Sequence, residues 1–165
     1  MILIGLGANL PTTLGGPQAT LEAALAALEA EGVHVLARSR WYRSAPVPPS
    51  AQPWFVNAVV AVATRLDPPA LLRLLHRIEA RFGRVRQERN AARPIDLDLL
   101  DYDGRIMTHD DGPILPHPRL HERAFVLLPL AEVAPGWRHP RLGRSVAELI
   151  AALPPDAVAE PIAPG

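Results

Sequence analysis

The alternation of apolar and polar positions marks out most elements of the chain. Residues 2–6 are an apolar run that predicts a first strand. Gly5-Leu6-Gly7-Ala8-Asn9 follows as a tight turn, where backbone can approach a flat ligand. After Pro17, Leu21, Leu25 and Leu28 fall on one stripe, which predicts a helix ending before Gly32. Residues 33–41 alternate loosely as a second strand. The proline-broken stretch 43–53 shows no periodicity and reads as a loop. Residues 54–64 are apolar and β-branched, a third strand. Asp67-Pro68-Pro69 supplies a cap and a proline at the first helical position. The helix behind it repeats every 3.6 residues through Leu71, Leu72, Leu75, Ile78 and Phe82, and stops near Gly83.

Residues 84–93 form a polar, arginine-rich loop, and residues 95–102 a fourth strand closing at Asp103-Gly104. Beyond it, residues 113–118 are extended, residues 124–133 form a helix bent near Pro129, and residues 145–153 a short helix. Residues 154–165 read as a loose tail. The order β-α-β-β-α-β predicts an α+β, ferredoxin-like sandwich: an antiparallel sheet with helices, plus C-terminal additions. No repeat or second boundary interrupts it, so residues 1–165 are expected as one domain.

Composition narrows the function classes. The 17 basic and 17 acidic residues cancel, so no global field favours nucleic acid or a membrane surface. No apolar run is long enough to span a bilayer, and no basic segment precedes the first strand. A cytoplasmic protein is expected. Cysteine is absent, which removes disulfides and thiolate metal sites. Every basic residue is arginine, so chemistry that needs a lysine, including a P-loop, is excluded. Arginine suits bidentate grip on phosphate.

The strongest candidate site is Arg89-Asn90-Ala91-Ala92-Arg93-Pro94-Ile95-Asp96-Leu97-Asp98-Leu99-Leu100. Strand side chains two apart share a face, so Asp96 and Asp98 face one way while Ile95, Leu97 and Leu99 face the other. Two carboxylates so placed suit Mg²⁺, which keeps sites for water and phosphate oxygens. The same spacing also suits a solvated edge strand paired with arginines. The loop carrying Arg84, Arg86, Arg89 and Arg93 weighs for the metal, since carboxylates and arginines together serve phosphoryl transfer.

Phe55 and Asn57 also share a strand face, and can stack on a planar heterocycle and bond its edge. Alone, the pair reads more readily as a core ring with an Asn satisfied by backbone. In Pro116-His117-Pro118-Arg119-Leu120-His121-Glu122-Arg123-Ala124-Phe125, two histidines lie four apart. The flanking prolines oppose a helix at His117, which favours a His and an Arg reaching phosphate over a zinc pair. Phe125 is a candidate second aromatic wall. Glu79, on the polar side of its helix, reads as a surface carboxylate.

Taken together these stretches resemble the 6-hydroxymethyl-7,8-dihydropterin pyrophosphokinase family, also called 2-amino-4-hydroxy-6-hydroxymethyldihydropteridine diphosphokinases. The resemblance runs through Gly5-Leu6-Gly7-Ala8-Asn9-Leu10, Trp41-Tyr42-Arg43-Ser44, Gln52-Pro53-Trp54-Phe55-Val56-Asn57-Ala58, Gly83-Arg84-Val85-Arg86 and residues 116–135. It implies an enzyme of folate biosynthesis that moves pyrophosphate from Mg-ATP to the pterin hydroxymethyl group, releasing AMP. Asp96 and Asp98 would bind two Mg²⁺ ions, with Asp96 also near the pterin. Arg84 and Arg93 would serve the triphosphate during transfer. Arg86, Arg89, His117 and Arg123 would contact ATP, with Glu79, Ile95 and Leu99 on the ATP side. The pterin would lie between Phe55 and Phe125, read by Asn57 and the backbone around Gly7, Ser44 and Val47. A monomer acting on these two small molecules is expected, without nucleic acid or membrane partners.

Some positions depart from the family pattern. Phe55 stands where many members have tyrosine, and Ser44 where threonine is frequent. Asn90 and Ala91-Ala92 replace tryptophan or asparagine and Gly-Pro, and residues 107–112 lack a lysine that some members have. An RNA-binding module on the same frame would need aromatics paired on the open sheet face, and none are patterned so. A catalytically dead scaffold is opposed by the retention of both aspartates and Arg93.

Overall fold

The computed structural model describes residues 1–46, 48–83, 92, 94–108 and 112–163. In chain order the elements are β1 (Ile2–Ala8), α1 (Pro17–Ala30), β2 (His34–Arg38), β3 (Tyr42–Ser44), β4 (Phe55–Ala63), α2 (Pro68–Arg81) and β5 (Asp96–Tyr102). A 3₁₀ turn at Leu120–Glu122 then leads into α3 (Ala124–Val133), α4 (Val146–Ala151) and β6 (Ala159–Pro161). The architecture is a mixed one, with helices packed on an antiparallel sheet ordered β5-β1-β4-β3-β6 and β2 beside β4.

Local chemistry sets the helix limits. The Asp67 carboxylate accepts from the Ala70 N–H at 2.9 Å, and Pro68 fills a first-turn position that needs no donor. Gly83, just past the end of α2, has φ of +94°, a conformation that favours glycine. Ser145 and Glu148 close α4 with a reciprocal capping box. In α3, Pro129 removes the N–H that would have bonded the Phe125 carbonyl.

The sheet separates two apolar layers. On one side Ile2, Ile4, Leu6, Val60, Val62, Leu97 and Leu99 pack under α1 and α2. On the other, Leu3, Val59, Ala61 and Leu100 meet α3, α4 and Trp137. A register shift between Leu3 and Ile4 leaves Leu100 without a partner opposite, a bulge that changes the facing of β5 beyond it.

Several boundaries differ from expectation. Gly5–Ala8 belongs to β1 and is not a turn: Gly5, Leu6 and Gly7 are paired on both sides, Gly7 with Asn57 and Asp96. The expected second strand is shorter, ending at Arg38, and β3 runs from Tyr42 into the stretch read as loop. Tyr42 and Ser44 point inward around exposed Arg43, a period too short to register against the prolines behind it. Residues 154–165 are not loose throughout, because β6 pairs with β3 and the Ile162 N–H donates to the Trp41 carbonyl at 2.8 Å. In α2, Leu74 is buried, while Leu72 and Phe82 are only half-buried.

Candidate functional site

At one end of the α3 face of the sheet, the strand ends leave a cavity of about 600 Å³. Its floor follows from register. Asp96, Gly7, Asn57 and Tyr42 lie opposite one another across β5, β1, β4 and β3, and Asp98 lies opposite Gly5. The glycines put no side chain on this floor. A Cβ on Gly7 would come within 3.0 Å of the Asn57 carboxamide oxygen, so the row closes only because Gly7 lacks one.

The cavity brings together Gly7, Ser44, Phe55, Asn57, Asp96, Asp98, His117, Arg123 and Phe125. The two aspartates are half-buried and alternate with buried Leu97 and Leu99, as strand periodicity requires. Asn57 is buried and donates through Nδ2 to Ser44 Oγ at 2.8 Å, which fixes the carboxamide against β3. Asn9, also buried, ties the end of β1 to the loop before β4 through Gln52 Oε1 and the Pro53 carbonyl. Phe55 and Phe125 are the aromatic walls, from β4 and from the first turn of α3.

That first turn carries no acidic residue and presents Arg123 and Ala124 to the cavity. A helix N-terminus with an arginine favours an anion. The Arg123 guanidinium also stacks over the Phe125 ring at 5.4 Å. His117 Nδ1 accepts from the Arg119 N–H at 3.2 Å. Burial, then the charge of Arg123, lowers the His117 pKa to about 4, against an upward pull from Asp96. The imidazole is therefore neutral near pH 7. With Nδ1 accepting, its proton sits on Nε2, a donor suited to a phosphate oxygen.

Some expected site residues lie elsewhere. Ile95 and Leu99 are buried in the α1–α2 core, which leaves only their backbone for a ligand. Glu79 is no surface carboxylate: it is 5% exposed on the buried stripe of α2, outside the cavity lining. Val47, Arg84, Arg86, Arg89 and Arg93 lie outside the described residues, as do Asn90 and Ala91. The cavity also has walls to which the motifs assign no role, chiefly Trp54, Arg119 and Glu122 within the quoted stretches and the C-terminal Asp156 and Val158 outside them. Trp54 adjoins Phe55 in sequence and remains exposed, with the Arg43 guanidinium over its ring at 5.1 Å. The C-terminal residues reach the rim only through β6 pairing, which leaves no local mark.

An α+β frame with a cavity that pairs carboxylates and anion-binding groups with aromatic walls defines a small-molecule enzyme that handles phosphate beside a flat ring. The comparisons with known proteins sharpen this. A family model described as 7,8-dihydro-6-hydroxymethylpterin-pyrophosphokinase (HPPK) matches residues 3–135. A 2-amino-4-hydroxy-6-hydroxymethyldihydropteridine pyrophosphokinase of Methylorubrum extorquens is 43% identical over 156 residues, 94% of each chain. Its namesake from Synechocystis is 42% identical over 164 residues, covering 99% of this chain and 80% of the relative. Among solved structures, the wild-type HPPK-DHPS of Plasmodium falciparum with STZ-DHP superposes with a TM-score of 0.69 at 15% identity. The match covers 91% of this chain but only 42% of that one, and at this identity it bears on the fold alone. The chain belongs to the 7,8-dihydro-6-hydroxymethylpterin-pyrophosphokinase family.

Proposed function

We propose that this cavity is where the chain carries out its family's reaction, the transfer of pyrophosphate from ATP to 6-hydroxymethyl-7,8-dihydropterin in folate biosynthesis. The observation that carries the assignment is the single row Asp96–Gly7–Asn57, with Phe55, Phe125, His117 and Arg123 around it. It joins a site for phosphate and a site for a flat ring in one space.

Mg²⁺ fits the donors present. Asp96 and Asp98 are hard oxygen ligands on one face, and Gly5 and Gly7 keep the neighbouring floor clear. These two aspartates would hold two ions. When bound, the metal neutralises phosphate charge and favours departure of AMP.

The residues divide the remaining work. His117 Nε2 donates to a phosphate oxygen without adding charge. Arg123 and the α3 N-terminus hold the polyphosphate, and Arg84 and Arg93 supply further guanidinium contacts as negative charge grows, with Arg86 and Arg89 closing over ATP. Phe55 and Phe125 sandwich the pterin, and Asn57 reads its edge beside Ser44, Val47 and Gly7. Phe55 offers no hydroxyl, so ring contact alone acts there. The hydroxymethyl oxygen bonds to the β-phosphorus, the bond from that phosphorus to the α-phosphate oxygen breaks, and AMP leaves. The hydroxyl proton passes to water.

The strand order, with β2 and β3 sharing one edge of β4, supports a ferredoxin-like reading of the frame. Among the described residues no helix is long and apolar enough to cross a membrane. Phosphorus NMR tests the reaction. A pterin product with two coupled phosphorus signals is expected, and a monophosphorylated pterin would refute transfer from the β-phosphorus.

A further inference from the structure

The buried carboxylate of Glu79 has a position that the reaction above does not use. Among the described strands β5 ends the sheet: it pairs with β1 on one side, while on the other the Leu100 carbonyl accepts from the His117 N–H at 2.9 Å. Backbone N–H groups of an antiparallel strand alternate between its two sides. Asp96 and Asp98 lie opposite Gly7 and Gly5, while Leu97, between them, turns its N–H outward. There Glu79 Oε2 accepts it at 2.7 Å. Leu97 is 2% exposed and Glu79 5%, so water has little access to either group.

Glu79 shares the buried stripe of α2 with Leu71, Leu74, Leu75 and Ile78. A carboxylate among such neighbours loses hydration and needs a strong partner. One such partner is the Leu97 amide, which lies between Asp96 and Asp98. Edge strands fray, and a one-residue slip sends every side chain to the opposite face. On β5 that slip would turn Leu97 into the cavity and both aspartates into the core.

We infer that Glu79 is a positioning residue: its bond to the Leu97 N–H locks the outer edge of β5 at the aspartates, keeping Asp96 and Asp98 together on the cavity face for the divalent cation. This replaces the expected contact of Glu79 with ATP, and it rests on the reading of Asp96 and Asp98 as the cation site. Outer partners of this kind typically contribute about 10–100-fold to metal affinity or activity.

The test compares Glu79→Gln, which keeps an acceptor oxygen, with Glu79→Leu, which keeps bulk, and Glu79→Ala. Two readouts need no turnover: exchange of the Leu97 amide, and Mn²⁺ binding followed by electron paramagnetic resonance. In Glu79→Leu and Glu79→Ala, Leu97 exchange should quicken about tenfold or more and Mn²⁺ affinity fall about tenfold. In turnover, kcat should fall by a similar factor, with KM for the pterin within about twofold. Glu79→Gln should restore exchange, Mn²⁺ affinity and kcat. Unchanged Mn²⁺ affinity in folded Glu79→Leu would overturn the inference. So would a Glu79→Gln protein with a protected Leu97 amide and poor cation binding. If neither apolar variant folds, a wild-type Leu97 amide that exchanges as fast as an exposed edge amide overturns it alone. Wild-type protein that fails to make AMP would instead refute the reaction, while the exchange and Mn²⁺ results still judge Glu79.

Discussion

At the start of β5, Asp96 and Asp98 stand in the wall of a cavity; near its end, buried Asp101 accepts from the indole N–H of Trp137. All three are aspartates on one edge strand, a few residues apart. The first two are half-buried beside glycines, where a cation and phosphate oxygens can reach them. Asp101 is 2% exposed, and its Oδ2 accepts from Trp137 Nε1 at 3.0 Å. Its Oδ1 has no hydrogen-bond partner among the described residues. Burial raises its pKa above the usual carboxylate range, although the indole N–H and the backbone at Gly104 and Tyr102 oppose the rise. What an acidic residue does on this strand thus depends on what roofs it. The bulge at Leu100 marks the passage from ledge to core.

The comparison is broken most severely at the cavity end. Asp96→Ala or Asp98→Ala should lower turnover at least about a thousandfold, with a thermal midpoint near wild type. A variant with near-normal turnover would remove the metal role. At the core end the order reverses. Asp101→Ala should destabilise the protein by about 1–3 kcal/mol in urea titration, because the Trp137 N–H loses its acceptor. Its folded fraction should keep activity within a few-fold. Asp101→Asn, which keeps an acceptor in the same place, should melt close to wild type.

A smaller effect falls on the ring site. Phe125→Ala or Phe55→Ala should weaken pterin binding about tenfold, measured by calorimetry on the folded protein. The last effect is the pH dependence that His117 brings. Its folded pKa of about 4 lies below the ordinary 6.5, so between these values the unfolded chain binds a proton that the native protein does not. The resulting stability is complete above pH 6.5 and is lost as pH falls toward 4. Melting curves of wild type and His117→Asn should converge across that window. A constant gap from pH 7.5 to 4 would contradict a neutral, buried imidazole.

How far the sequence discloses this arrangement differs between fold and site. The cap at Asp67, the stripe of α2 and the alternation of β5 were legible because each follows from a local period. The same alternation placed Asp96 and Asp98 opposite Leu97 and Leu99 in facing. Phe55 with Asn57 was legible as a pair, but its meeting with Phe125 depends on α3 crossing the sheet. Glu79 misled, since a glutamate in a helix is usually solvated, whereas this one is buried with its carboxylate on the Leu97 N–H, a partner that no local pattern signals. Gly5 and Gly7 resembled a turn, whereas their value lies in the absence of side chains from a strand face. β3 and β6 are short and proline-flanked, and each is defined mainly by its partner.

The most direct test of the account runs wild type, Asp98→Ala and Asp101→Asn side by side with Mg-ATP and 6-hydroxymethyl-7,8-dihydropterin, separating nucleotides by chromatography. Wild type and Asp101→Asn should form AMP one for one with pterin pyrophosphate, and none without the pterin, while Asp98→Ala forms almost none. ADP as the product, or AMP from Asp98→Ala at the wild-type rate, would contradict it.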